Sequence, residues 1–294
     1  MRFFHHFLTQ CYPHHPLKQE EIWTHEIPCI AHNHEFLMHA ILGFAASELG
    51  RTRAEGSVVA AAMNHRVKAI RALKKRLAEA SSARLTHEEA NALVATCFVL
   101  TFQSVSLDDG LAEYMTFIRG ILIVGMQMAF RGIKPVFETL LDDKQNELLA
   151  PLMEGMPLIE RGWVDGAVEA IAKLRPLCVD EIEVEYHGQL LAIAETLYTS
   201  SFDGNIQGQL EGAIILLHTH WIALAQIMAF ITERERDVRE KHPSPEDDRM
   251  DPGFVRWLKY LNARVDGEHQ MYNRWPIWVD GQLDQDLTFF GRRS

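Results

Sequence analysis

A chain of 294 residues with 47% hydrophobic and 23% charged side chains is long enough to bury a sizeable core and needs no external staple to fold. Its formal charge of −11, from 29 basic against 40 acidic side chains, opposes any general affinity for phosphate backbones and leaves a local basic patch as the one route to nucleic acid. Four cysteines, Cys11, Cys29, Cys97 and Cys178, lie far apart with no C-x-x-C pair, which argues against both a structural zinc site and a short-loop disulfide.

Met1 to Leu8 lacks the long apolar run and small-residue cleavage site of a secretory signal, so a reducing location in the cytoplasm, the nucleus or both is expected. A short helix opens the chain, and a loop rich in His and Pro leads to Glu20–Glu26 and a turn at Pro28. Helices are expected over Glu35–Gly50, Glu55–Ser81, Thr86–Val105 and Asp108–Arg131. Thr86 followed three residues later by Glu89 is a capping-box start, and Asp108 or Asp109 is expected to cap the next helix in the same way. Beyond Gly132, residues Pro135, Pro151, Gly155, Pro157 and Gly162 break the pattern into shorter pieces. Later helices are expected over Asp165–Arg175, Asp180–Thr199, Leu210–Arg239, Phe254–Val265 and Gln270–Leu287. The alternation Ile182-Glu183-Val184-Glu185-Tyr186 is the one rival strand, and its neighbours favour helix. The reading is an all-α chain, one multi-helix domain over residues 1–294, with short N-terminal helices and a buried apolar helix near 212–232.

That apolar segment carries no charge from Gly212 to Thr232, and Ala213–Ile231 is long enough to span a bilayer. His218, Thr219, His220 and Gln226 in its middle instead fit the centre of a helical bundle, and no membrane association is expected. Arg66, Lys68, Arg71, Lys74, Lys75 and Arg76 form the densest basic run. Without interleaved aromatics it reads as a solvated helix face, and direct nucleic-acid binding is not expected.

His32-Asn33-His34 and His218-Thr219-His220 resemble metal pairs, but side chains two apart on a helix diverge by about 200° and cannot share one ion. No metal and no cofactor is expected. Asp247-Asp248-Arg249-Met250-Asp251 matches the D-D-x-x-D pattern of isoprenoid diphosphate cyclases, and Asp142-Asp143-Lys144-Gln145-Asn146-Glu147 matches a looser form. The first lies in a charged loop bearing prolines, its facing metal partners have no counterpart, and chance in an acidic chain is the better account. No nucleophile elbow, P-loop or dinucleotide fingerprint is present. Gly120, Gly125 and Gly132 lie along an apolar helix, where they would let another helix or a ligand approach the backbone closely. Cys97, within an apolar helix, reads as a buried small hydrophobe.

The remaining signal is apolar. Two very hydrophobic segments, around Phe98–Phe130 and Leu216–Phe230, are rich in Met and aromatics that can reshape around a guest. A ligand site is therefore expected from Phe102, Gln103, Phe117, Met126, Met128, His218, Trp221 and Met228, with Gln103, Gln127, His218 or Gln226 orienting one polar group.

Several segments also carry a family pattern: Phe36 to Leu49; His65-Arg66-Val67-Lys68-Ala69-Ile70; Glu88 to Leu93 running into Leu100-Thr101-Phe102-Gln103-Ser104; and Tyr114 to Gly120. Together they resemble the regulatory domain of fungal zinc binuclear cluster transcription factors, in the branch of the sterol uptake control proteins. The likeness weakens after Gly132, where Gly212 to His218 and Trp257, Trp275 and Trp278 echo it. It implies an all-α regulatory domain that, in that branch, houses a hydrophobic ligand and governs nuclear entry and activation. The six-cysteine cluster of such factors does not occur in the chain, which again argues against direct DNA binding. Two functions follow as expectations. One is a module that senses a sterol- or terpenoid-like metabolite and signals as a homodimer or through another regulatory protein. The other is an enzyme of fungal secondary metabolism, a cyclase or isomerase, built on the same helical cavity.

Overall fold

The computed structural model describes residues 1–12, 20–52, 55–80, 85–107, 109–137, 151, 157–200, 215–228 and 252–291. Among these residues every regular element is helical and none is a strand, as the periodicity indicates. The chain divides into two compact units, Met1–Gln145 and Asn146–Ser294. Each unit is described by itself.

In the N-terminal unit, α1 (Arg2–His6) and α2 (Ile27–Ala31) frame two wide turns, Phe7–Cys11 and Ile22–Glu26. The long helices are α3 (Glu35–Thr52), α4 (Gly56–Ala80), α5 (His87–Val105) and α6 (Leu111–Phe130). Helix α5 is buried almost all round, from Glu89 to Ser104, which suits the centre of a bundle. Helix α4 turns Val58, Ala62, Arg66, Ala69 and Leu73 inward at spacings of three and four. Helix α6 does the same with Phe117, Ile121, Val124 and Met128. Trp23, Phe7, Phe98 and Phe137 stack beneath this layer, with Trp23 and Phe137 centroids 5.0 Å apart.

Thr86 caps α5 as expected, its hydroxyl accepting from the Glu89 amide at 3.2 Å. Of the two expected caps of α6, Asp108 lies outside the described residues, and Asp109 is not the cap: the N-cap is Gly110, without a side-chain hydrogen bond. The cause is crowding. A Cβ on Gly110 would lie 2.1 Å from the Ser104 carbonyl oxygen, so only glycine lets the chain reverse this tightly. At the other end α6 closes with Gly132 at φ 64°, its amide bonded to the Ala129 carbonyl and that of Ile133 to Met128, a Schellman closure. Gly132 therefore ends the helix, whereas Gly120 lets α5 approach: a Cβ there would meet the Cys97 sulfur at 3.1 Å.

In the C-terminal unit the helices are α7 (Arg161–Ala172), α8 (Glu181–Thr196), α9 (Ile215–Ile227), α10 (Pro252–Asn262) and α11 (Arg274–Gln285). Asp180 and Glu183 form a reciprocal capping box, so the segment with strand-like alternation starts α8. Helix α9, the uncharged apolar segment, is the hub and packs against α7, α8, α10 and α11. Among the described residues no helix is long and apolar enough to cross a membrane. Gly166 lets α7 and α11 close up, since a Cβ there would sit 3.1 Å from Trp275 Nε1.

Candidate functional site

In the N-terminal unit the polar chemistry centres on Arg66. Expected on a solvated face, it is only 2% exposed; the basic run is instead split, with Lys68, Arg71, Lys74 and Lys75 in solvent and Arg76 paired to Glu89. The guanidinium donates to the Leu100 carbonyl (3.3 Å), Gln103 Oε1 (3.2 Å) and Ser104 Oγ (2.8 Å), and pairs with Glu113. It also lies over the Phe117 ring, 5.6 Å from the centroid. Gln103 Nε2 donates to Ser47 Oγ at 2.9 Å. Four helices are thus tied at one buried point: α3 through Ser47, α4 through Arg66, α5 through Gln103 and Ser104, α6 through Glu113 and Phe117.

This network changes the picture of the expected ligand residues on that side. Both ends of the Gln103 amide are engaged within the fold. Phe117 and Met128 are core side chains, 7% and 1% exposed. Phe102, half-open, leans on Phe44, and Met126 faces solvent with Leu122, Ile123 and Phe130 on the outer stripe of α6. Cys97 is buried, and desolvation pushes its thiol up to about 12, which makes it inert as a nucleophile.

In the C-terminal unit the two α9 histidines diverge as their spacing requires. His218 packs on Tyr186 of α8, ring centroids 6.1 Å apart, and His220 on Trp275 of α11 at 5.9 Å. Thr219 between them starts a buried chain. Its hydroxyl donates to Asn273 Oδ1 (2.9 Å), Asn273 Nδ2 to Asn262 Oδ1 (2.9 Å), and Asn262 Nδ2 to Asp280 Oδ2 (3.2 Å). Burial raises the Asp280 carboxyl above its ordinary range.

Among the described side chains of α9, only His218, Trp221 and Ala225 are half-open, one stripe at spacings of three and four, while Met228, just past the helix end, is buried. Beside His218 the hydroxyl of Tyr186, a residue only 6% exposed, finds no hydrogen-bond partner among the described residues. Burial pushes that phenol above its ordinary value. Nothing in sequence marks Tyr186, one aromatic among the apolar positions of α8.

The expected ligand residues therefore fall in different units: Phe102, Gln103, Phe117, Met126 and Met128 in the first, His218, Trp221 and Met228 in the second. Both aspartate clusters, at 142–147 and 247–251, lie outside the described residues. Among the described residues no group of three or more His, Cys, Asp or Glu could hold a metal ion.

Comparison with known proteins bears on the N-terminal unit. Residues 1–120 match the fungal specific transcription factor domain. Sterol uptake control protein 2 of Saccharomyces cerevisiae is 34% identical over 113 residues, 37% of this chain. The protein of the same name from Candida albicans is 32% identical over 90 residues, 31% of this chain. Each match spans 12% of the relative's own length. No solved structure matches the chain. Arg66, Gln103, Ser104, Glu113 and Phe117 all lie within the segment that is similar to the fungal specific transcription factor domain.

Proposed function

We propose that the chain is a regulatory module of fungal transcription-factor type, acting in the cytoplasm and nucleus, whose C-terminal unit binds an apolar metabolite carrying a hydroxyl group. The single observation that carries the ligand part is the Tyr186 hydroxyl, buried without a partner among the described residues, beside the half-open stripe of His218 and Trp221. A buried polar atom left unpaired costs about 1–3 kcal/mol, and such atoms in folded proteins are satisfied by water or a ligand. Apolar walls with one convergent polar group suit a sterol- or terpenoid-like alcohol, in keeping with the name borne by the relatives. A phenol raised by burial stays protonated through the physiological range, which fits a hydrogen-bonding anchor better than the base an isomerase would need. Signalling would pass through protein contacts, with a second copy or another regulatory protein, and the exposed apolar stripe of α6 is compatible with that.

The test compares a sterol with its analogue lacking the hydroxyl, by thermal shift and native mass spectrometry on wild type and Tyr186→Phe. The sterol should stabilise the wild type by mass action and bind about tenfold more tightly than the analogue, a preference lost in Tyr186→Phe, which without ligand should be no less stable. Equal binding of both compounds by both proteins would remove Tyr186 from the site; no binding of either would remove the ligand reading altogether.

A further inference from the structure

We propose that His39 and His65 form a two-imidazole site for a divalent transition-metal cation of the zinc type, held between α3 and α4. Helices α3 and α4 come closest near Gly43, where a Cβ would lie 3.2 Å from the Arg66 amide nitrogen and 3.4 Å from the Ala62 carbonyl oxygen. One turn earlier on α3 stands His39, and next to Arg66 on α4 stands His65. Their Nδ1 atoms face each other at 3.0 Å, with ring centroids 5.0 Å apart. Two imidazole nitrogens bound to one zinc ion are about 2.9 Å apart at a right angle and about 3.4 Å at the tetrahedral angle, given metal–nitrogen distances of about 2.0–2.1 Å. The observed separation lies inside that window.

The surroundings favour the same occupant. Two bare Nδ1 lone pairs at this distance repel, so a proton or a cation must lie between them. Glu35 Oε1 lies 3.6 Å from His39 Nε2, a negative charge that favours the tautomer with the proton on Nε2 and the Nδ1 lone pair free for a metal, as in the carboxylate–histidine–metal arrangement. When the cation enters, the Nδ1 proton of His65 leaves and Nε2 takes one from solvent, so both rings stay neutral. Burial, with Lys68 nearby, already holds both imidazoles below the ordinary histidine value, so protons compete weakly for the lone pairs. The His39 side chain is 18% exposed, an opening for water to complete the coordination. The other groups at the site are the Phe3 ring, edge-on to His65, and Lys68, whose charge opposes a cation as Glu35 favours it.

The test is zinc titration of the full chain after chelator treatment, by isothermal calorimetry against a competing chelator. Wild type should bind one more equivalent than His39→Gln, His65→Gln or the double variant, with all three variants losing the same equivalent. Glu35→Gln should weaken this equivalent about tenfold or more, and Lys68→Gln should tighten it severalfold. Because His39 or His65 variants could fail to fold, two-bond 1H–15N spectra of the wild type give a second readout: one equivalent of zinc should move the Nδ1 signals of these two rings. Unmoved ring signals, or equal stoichiometry in folded variants, would reduce the pair to a simple N–H···N hydrogen bond and overturn the proposal.

Discussion

The asymmetric burial of the Arg66–Glu113 pair makes a quantitative statement possible. The guanidinium is 2% exposed and the carboxylate 49%. Removing one partner of a fully buried pair costs about 3–5 kcal/mol because the other charge is stranded, whereas an exposed pair is worth about 0.2–1 kcal/mol. Here only Arg66 is stranded, and it keeps its bonds to Leu100, Gln103 and Ser104, so Glu113→Gln should cost about 2 kcal/mol. Arg66→Met should cost about 3–4 kcal/mol, since Gln103 Oε1 and Ser104 Oγ both lose a buried donor while Glu113 regains water. In the Arg66→Met background the Glu113 substitution should cost almost nothing, a coupling of about 2 kcal/mol in the double-mutant cycle. The assay is native-state hydrogen exchange on peptides of α5, which reports this unit alone. If Glu113→Gln costs the same with and without Arg66, the carboxylate is an ordinary surface group and the network argument fails.

Two further outcomes follow. Gly110→Ala places a methyl against the Ser104 carbonyl, so α5 and α6 must separate; a loss of about 1–3 kcal/mol is expected as a lowered Tm, and a neutral result would mean the reversal is looser than described. His39 and His65 both titrate below the ordinary histidine value through burial, with His39 and Lys68 adding to the effect at His65. Below about pH 6.5 the unfolded chain thus binds more protons than the folded one. The pair's contribution is complete above the ordinary value and is lost as the pH falls through it towards the depressed folded values. Urea titrations in zinc-free buffer between pH 7.5 and 5 should show this loss, and His65→Asn should reduce its slope; an unchanged slope would refute it.

How much of this the sequence carried depends on the range of each interaction. The Thr86 and Asp180 helix starts are local patterns three residues long, and the Thr86 start, with its Glu89 partner, could be read directly. The fate of Arg66 could not. Its neighbours are Lys and Arg, its partners lie 34 to 47 residues away, and only the inward spacing of Val58, Ala62, Ala69 and Leu73 gave a clue. Gly110 stands as the N-cap in place of Asp109 because of a backbone contact between consecutive helices, which no local rule contains. The division into two units had a signal in the prolines and glycines after Gly132, but the helical patterns on either side look alike in periodicity. His218 and His220 were correctly separated by helical geometry, while Tyr186, which meets His218 from another helix, had no mark of its own.

The contrast between the units bears on where regulation would reside. In the N-terminal unit the polar atoms around Arg66 are mutually satisfied, and a satisfied buried network fixes one register of the helices that contribute to it. Such a core resists rearrangement and suits a scaffold. In the C-terminal unit the Tyr186 hydroxyl has no partner among the described residues and lies beside a half-open helix face, so on the proposed function the ligand-free packing bears about 1–3 kcal/mol that a hydroxyl-bearing guest would relieve. A ligand shifts a conformational equilibrium only by its difference in affinity for the two states, and about 1–3 kcal/mol corresponds to about 5–150-fold. That range is sufficient for a regulatory switch, and it is set by one phenol. On this reading replacement of Tyr186 by Phe would raise the stability of the free form and reduce the response together, whereas changes at Gln103 or Met128 would alter stability without altering which guest is preferred.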